Sequence, residues 1–135
     1  MNDTITVTGV VATDPRHIVT TEGLSVTSFR LISTNTVYDV DADAWQNTRC
    51  NWFTVSAYRQ LASNVAGCVS RGDPVLVTGR LTVREWSDGD DTSSRGITAE
   101  IEADAIGHDL AWGSATFART VQGVRAVDVP SATAV

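Results

Sequence analysis

Three aromatic and two arginine side chains fall on the outward side of two predicted strands: Trp52, Tyr58, Trp86, Arg80 and Arg84. Flat aromatic rings stack on nucleobases of any sequence, and guanidinium groups pair with phosphate and stack on rings. Trp52 and Tyr58 are six positions apart, which is about 20 Å of strand at roughly 3.3 Å per residue and is long enough for several bases. This combination indicates a surface for a single-stranded nucleic acid.

Structural roles are the alternatives for these residues. Outward aromatic rings also fill subunit interfaces. Arg80 and Arg84 are equally consistent with a solvated face or with ion pairs to acids of the last predicted strand. The shared outward side of the three aromatic residues favours binding over these alternatives. Trp112 lies in a glycine-rich segment of uncertain orientation, and we expect it to cap the core or fill an interface.

Five segments in which apolar and polar residues alternate predict the strands that carry this surface. They are residues 4–11, 26–33, 51–58, 75–86 and 97–105. Apolar residues from Leu61 to Val69 recur at helical spacing before a Gly-Asp-Pro stop, so we expect one short helix between strands 3 and 4. This order of elements predicts an all-β protein with a five-stranded OB-fold, a small Greek-key barrel.

Two polar stretches separate predicted strands. Residues 34–49 are predicted to form a long loop, and residues 87–96 are predicted to form a polar hairpin tip.

On the fifth strand, Ile97 belongs to the face expected to point inward. Gly9 lies in the middle of a strand, where a bulge or a sharp bend in a barrel leaves no room for a side chain. On the fourth strand, the residues expected to point inward are Val75, Val77, Gly79, Leu81 and Val83.

The acidity of the chain comes from one segment. The net charge is -6, yet residues 1–84 hold seven arginines against seven acids. Residues 85–109 hold one arginine against eight acids, and residues 110–135 hold two arginines against one acid. Because phosphate binding depends on local positive potential, the overall acidity does not exclude a nucleic-acid partner.

Composition argues against several other classes of protein. With 42% hydrophobic and 19% charged residues, the chain is expected to fold as a single domain. No apolar run approaches the roughly 20 residues of a membrane span, so we expect a soluble protein without a membrane partner. Cys50 and Cys68 lack metal-ligand spacing and are expected to be reduced. His17 and His108 stand apart from any carboxylate or cysteine cluster, so we expect no metal, no cofactor and no catalytic histidine.

Six blocks of sequence, in order and covering about residues 3–112, resemble the bacterial single-stranded DNA-binding proteins. The blocks are residues 6–15, 29–34, 51–55, 58–62, 71–75 and 77–81. Residues 106–113 resemble actinobacterial members of that family, in which the segment beyond the fifth strand adds a strand that clamps a neighbouring subunit.

The resemblance implies a homotetramer of OB-folds that binds single-stranded DNA and protects it during replication, recombination and repair. Such a protein would be cytoplasmic and nucleoid-associated, and would not be an enzyme. The base-stacking aromatic residues of the family fall on Trp52, Tyr58 and Trp86, with Tyr38 at the position of a loop aromatic. Its cations that contact the DNA backbone fall on Arg59, Arg71 and Arg84, with Arg80 nearby.

Three parts of the chain follow from this resemblance. Residues 1–112 are expected to form the OB-fold, residues 113–121 to supply an extra strand or clamp, and residues 122–135 to form a flexible tail. Family members typically end in a long linker and a short acidic tip that recruits other enzymes, and no such tip ends this sequence. We therefore expect weak or absent recruitment of other enzymes through the tail. The lack of the tip is consistent both with a tail-less paralogue and with a truncated chain.

Two rival functions belong to different classes. An OB-fold accessory protein of a primosome or recombination complex would act as a scaffold and bind nucleic acid weakly. An enzyme would need a paired acid and base or a metal cluster. The sequence offers only the acidic run 88–91, which is better explained as a solvated hairpin tip, and it contains no motif for nucleophilic catalysis.

Overall fold

The structure is a computed structural model that describes residues 3–88 and 91–120, with the backbone alone for residues 35–37, 46–49, 86–88 and 91–95. Within these residues, six strands and one helix follow one another. They are β1 (Thr4–Val11), β2 (Arg16–Val19), β3 (Ser25–Asp39), β4 (Ala44–Tyr58), α1 (Arg59–Cys68), β5 (Pro74–Asp88) and β6 (Asp91–His108). The predicted tail, residues 122–135, lies outside the described residues.

Five of the strands close into a barrel. They are hydrogen-bonded in the order β1-β5-β6-β4-β3, and β1 also pairs with β3 at Val10 and Val11, which completes the ring. The pairs of the ring are antiparallel except β4 and β6, which run parallel where Thr54 lies opposite Glu100. This is the OB-fold topology, and the predicted fold is confirmed.

The sixth strand, β2, corrects the prediction of five strands. It lies outside the ring as an edge strand paired with β3, from Arg16 opposite Ser28 to Val19 opposite Ser25. All four of its residues are exposed. Because no side of β2 is buried, it carries no apolar alternation from which a strand could be predicted.

Two hairpins are longer than predicted. The segment 34–49 is largely strand, because β3 continues to Asp39 and β4 begins at Ala44. In the same way β5 continues to Asp88 and β6 begins at Asp91, in place of a polar tip over 87–96. Backbone pairing extends each hairpin beyond the barrel, where there is no core to impose apolar alternation on the sequence.

The core is formed by one side of the barrel strands and by α1. The helix is confirmed, and its Ala62 and Val65 are buried. Thr27, also buried, donates a hydrogen bond from Oγ1 to the Ala62 carbonyl oxygen at 2.7 Å, which attaches β3 to the helix. No helix of the described residues is long and apolar enough to cross a membrane. The largest fully buried hydrophobic side chains are Leu31, Ile101, Val11, Val55, Val75 and Val77.

The predicted inward side holds only within the barrel. Val75 and Val77 are fully buried, but Val83 is 57% exposed and Ile97 is 70% exposed. The reason is that β6 pairs with β4 only over residues 100–102, so the residues before them pair with β5 alone. Val83 and Ile97 therefore lie on a two-stranded arm that has no core beneath it.

Two glycines lie where another backbone passes close by. A Cβ at Gly9 would overlap the carbonyl oxygen of Ile32, and a Cβ at Gly79 would overlap the carbonyl oxygen of Glu102. The prediction that Gly9 leaves no room for a side chain is confirmed. The β5–β6 register shifts next to Gly79 and leaves Asp104 without an opposite residue, so the close approach coincides with a β-bulge.

Candidate nucleic-acid interface

The outward side of β4 presents Trp52 to solvent. Phe53, Val55 and Ala57 point towards the core, and Trp52 on the opposite side is 48% exposed. The guanidinium carbon of Arg30, on the neighbouring strand β3, lies 5.3 Å from the centroid of the indole ring. This distance is that of a cation–π interaction. Trp52 is therefore where the predicted orientation placed it, and it has a cationic neighbour that was not predicted.

Tyr58 lies in a shallow depression on the same side of the barrel. The wall of this depression spans β4, β5 and β6, so the barrel brings Tyr58 and Arg84 together although they are far apart in sequence. The other outward side chains that line it are Ser56, Thr82, Glu100 and Glu102. An aromatic ring beside an arginine can bind a base and a phosphate. The two glutamates reduce the positive charge of this surface.

The predicted outward cations Arg80 and Arg84 both form ion pairs with β6. Arg80 Nη2 lies 3.0 Å from Glu102 Oε2, and Arg84 Nε lies 3.2 Å from Glu100 Oε2. From the sequence, ion pairs with the last strand were the alternative to a binding role for these two arginines, and the structure contains such pairs. Both arginines remain about half exposed or more, and exposed ion pairs contribute roughly 0–1 kcal/mol. A phosphate can therefore replace Glu102 at a small energetic cost, whereas Glu100 is 32% exposed with a buried Oε2, so its replacement at Arg84 costs more.

Arg59 occupies a strained turn between β4 and α1. Its φ is 60°, in the left-handed region that side chains other than glycine seldom adopt, while Tyr58 before it is extended. Such a conformation costs on the order of 1–3 kcal/mol and tends to occur at binding sites. Arg59 is exposed and follows Tyr58 in the chain, but it is not among the residues that line the depression around Tyr58.

Arg71 lies apart from the depression around Tyr58. It is exposed in the turn before β5, which is held against the end of β1 by a hydrogen bond from the Gly72 backbone N–H to the Val11 carbonyl oxygen at 2.8 Å. Gly72 has a φ of 95°, which is why glycine occupies this turn. Arg71 is not among the residues that line the depression.

Tyr38 lies near the tip of the β3–β4 hairpin, opposite Trp45. The two ring centroids are 5.4 Å apart with an interplanar angle of 65°, and Trp45 is 70% exposed. The Tyr38 hydroxyl donates a hydrogen bond to Asp43 Oδ1, which raises the pKa of the tyrosine. Trp45 is an exposed aromatic neighbour of Tyr38 that was not predicted as a site residue, because the strand pairing that brings the two rings together was not predicted there.

For the remaining aromatic candidate, Trp86, the structure describes the backbone alone. Its backbone pairs with Gly96 on the arm formed by β5 and β6. The tryptophan predicted to be structural, Trp112, is 77% exposed in the single chain. The expectation that Trp112 caps the core is therefore wrong, and an interface is the role that stays open for it.

His108 has a carboxylate partner, which corrects its predicted isolation. Its Nε2 lies 3.0 Å from Asp73 Oδ2. The backbone N–H of Ser70 and, to a smaller degree, His108 lower the pKa of Asp73. Residues 73 and 108 lie 35 positions apart, and they meet because Val75 pairs with His108 across β5 and β6. This contact ties the end of β6 to the turn before β5.

No group of three or more His, Cys, Asp or Glu in residues 3–88 and 91–120 is arranged to hold a metal ion. Cys50 and Cys68 are free thiols, and both are exposed.

The barrel and its outward side define an OB-fold protein with an aromatic, arginine-bearing face. Residues 1–109 match the model of the Single-strand binding protein family. The chain belongs to that family.

Relatives and solved structures agree with this assignment. The chain is 44% identical over 115 residues to single-stranded DNA-binding protein 2 of Tropheryma whipplei strain Twist, which covers 85% of this chain and 74% of the relative. It is 47% identical over 123 residues to single-stranded DNA-binding protein 1 of Streptomyces coelicolor, covering 90% and 76%. These sources are actinobacteria, so the predicted actinobacterial type is confirmed.

Among solved structures, the chain is similar to the small single-stranded DNA-binding protein from Streptomyces coelicolor. The TM-score is 0.73 at 41% identity, over 83% of this chain and 98% of that chain. The second single-stranded DNA-binding protein of Mycobacterium smegmatis gives a TM-score of 0.65 at 22% identity, over 88% and 100%. At that identity the likeness supports the fold alone.

Proposed function

We propose that this protein binds single-stranded DNA without sequence preference and protects it during replication, recombination and repair. The observation that carries the proposal is the outward face of the barrel, where exposed Trp52 lies beside Arg30 and partly exposed Tyr58 lines a depression together with Arg84. Relatives named as single-stranded DNA-binding proteins support it. We expect this binding to take place in the cytoplasm, on the nucleoid.

Binding combines two kinds of contact. Bases stack on the rings of Trp52 and Tyr58, and we propose the same role for Tyr38 and Trp86. Stacking accepts any base because every base has a flat face, which explains the lack of sequence preference. Phosphates are neutralised by the four arginines proposed to follow the DNA backbone: Arg59, Arg71, Arg80 and Arg84.

The acidity of the chain does not prevent this contact. Two of the acids in the segment 85–109, Glu100 and Glu102, are already paired with arginines on the outward face. Repulsion from acids farther away is largely screened beyond a Debye length of about 8 Å at physiological salt. Phosphates therefore experience the local arginines more than the net charge of the protein.

Titration with oligonucleotides tests the proposed function. Adding oligo-dT should quench tryptophan emission, because bases stack on exposed indole rings. A parallel titration with oligo-rU measures the preference for DNA over RNA. Unquenched emission together with weak binding would contradict the proposal and favour the accessory scaffold. The enzyme class is tested separately, by incubating the protein with labelled strands and looking for cleavage or modification.

We further propose that the protein is a homotetramer. β1 pairs with β5 from Thr4 to Val10 but with β3 only at Val10 and Val11, so no strand of the described residues covers its other edge from Thr4 to Thr8. Open strand edges of this kind are usually covered by another chain. Light scattering is expected to give a mass near four chains, and a stable monomer at micromolar concentration would contradict this.

The segment after β6 has apolar side chains that an assembly would cover. Leu110, Trp112 and Phe117 are 66%, 77% and 82% exposed in the single chain, and residues 113–120 belong to no helix or strand of it. We propose that this segment clamps a neighbouring subunit. Within the light-scattering experiment, Phe117→Asp should lower the mass, while Ser114→Asp controls for the added charge. Equal masses for both variants would contradict the clamp.

A further inference from the structure

Arg30 touches the Trp52 ring from the neighbouring strand. Arg30 pairs with Thr54 and Trp52 pairs with Ile32, so the two side chains lie diagonally on the same outward side of β3 and β4. The guanidinium carbon is 5.3 Å from the ring centroid, within the range in which an indole attracts a cation. A positive charge is therefore held beside an exposed stacking ring.

The backbone of Arg30 is fixed from its other side. Its N–H donates to Thr13 Oγ1 at 3.0 Å, and its carbonyl oxygen accepts a hydrogen bond from the Ala12 N–H at 2.8 Å. Together with the pairing to β4, these bonds hold the strand in place at Arg30. With the backbone fixed, the contact with the indole ring restricts the guanidinium, which reduces the entropy lost on binding.

Arg30 differs from Arg80 and Arg84 in the nature of its partner. The latter two pair with Glu102 and Glu100, whereas Arg30 takes part in none of the ion pairs between described residues. A phosphate that approaches Arg80 or Arg84 must replace a carboxylate. At Arg30 it replaces water, because the indole ring attracts the guanidinium without neutralising its charge.

We propose that Arg30 and Trp52 form one nucleotide subsite, in which the indole stacks on a base and the guanidinium pairs with a phosphate of the same or the adjoining nucleotide. The subsite rests on the proposed function and adds a phosphate-binding residue to it. The guanidinium suits both contacts, because its N–H groups donate to phosphate oxygens while its charge stays within cation–π distance of the ring.

Salt dependence tests the subsite, because it reports the number of phosphates that the protein neutralises. The experiment compares the parent with Arg30→Gln and Arg30→Lys in titrations of a labelled dT oligomer over a tenfold range of salt. For Arg30→Gln, the slope of log K against log salt should be less negative by about 0.7, the value for one phosphate of a single strand. Over that range the parent should lose about fivefold more affinity than the variant.

Two further variants separate the outcomes. Arg30→Lys keeps the charge and should keep the parent slope. Arg119→Gln removes an exposed arginine of the segment after β6, and it should leave the slope unchanged as long as light scattering gives it the same mass as the parent. The subsite is overturned if Arg30→Gln keeps the parent slope, or if Arg30→Lys flattens it as much as Arg30→Gln does. If Trp52→Ala is weakened in either of those cases, the proposed function still stands. If the parent itself does not bind the oligomer, the proposed function fails.

Discussion

Trp52→Ala is expected to weaken binding of single-stranded DNA at every salt concentration, by about 5- to 140-fold. Stacking of one base on an aromatic side chain contributes roughly 1–3 kcal/mol, and each 1.4 kcal/mol is about tenfold in affinity. The variant removes an exposed ring and no charge, so the slope of log K against log salt should stay nearly unchanged. Fluorescence anisotropy of a labelled dT oligomer, measured over a range of salt, gives both quantities.

Two comparisons make this result specific to stacking. Trp52→Phe keeps a flat ring and should retain most of the affinity, whereas a loss as large as that of alanine would point to a structural role for the indole. Arg84→Ala should instead flatten the slope, by less than a full phosphate because Glu100 already pairs with Arg84. If Trp52→Ala binds like the parent, the outward face is not the binding surface.

The position of Trp52 was predictable because alternation alone decides it. Val55 and Ala57 are fully buried on the opposite side of β4, and a strand has only two sides. The partners of the outward residues were not predictable in the same way. Which acid meets Arg80, or which ring meets Arg30, depends on the register between strands, and no local pattern in one strand specifies that register.

Two mispredicted features of the chain, the loop over residues 34–49 and the isolation of His108, share a physical cause. The tip that carries Tyr38 and Trp45 extends beyond the barrel, so no buried side imposes alternation there. The contact between His108 and Asp73 joins residues 35 positions apart through strand pairing, which is invisible in the linear sequence. Local patterns thus revealed the barrel and its two sides, while tertiary pairing determined the partners of the charged side chains.

Among substitutions in the barrel that add a single methyl group, Gly79→Ala is expected to lower the free energy of unfolding most. The new Cβ would overlap the Glu102 carbonyl oxygen, and the Cα of Ala103 and the carbonyl carbon of Glu102 would each lie 2.8 Å from it. All of these are backbone atoms, so a side-chain rotation cannot relieve the contact. Overpacking typically costs roughly 1–3 kcal/mol, and a rigid backbone neighbour places this variant at the upper end. Urea unfolding at one fixed protein concentration measures the effect.

The matched control is Gly107→Ala, in the same pair of strands. A Cβ at Gly107 meets nothing within 4 Å, so that variant should unfold within about 0.5 kcal/mol of the parent, as substitutions away from special backbone positions usually do. Equal stability of the two variants would show that β5 and β6 can separate at Gly79 without cost.

The bulge beside Gly79 also connects stability to the binding face. Before the bulge, Ile101 and Ala103 point inward. After the unpaired Asp104, Ala105 is exposed and Ile106 is partly buried. The bulge therefore exchanges the inward and outward sides of β6. If Gly79→Ala moves the bulge, Glu102 loses its position opposite Arg80. The salt slope of DNA binding should then change together with the free energy of unfolding. In Gly107→Ala, neither quantity should move.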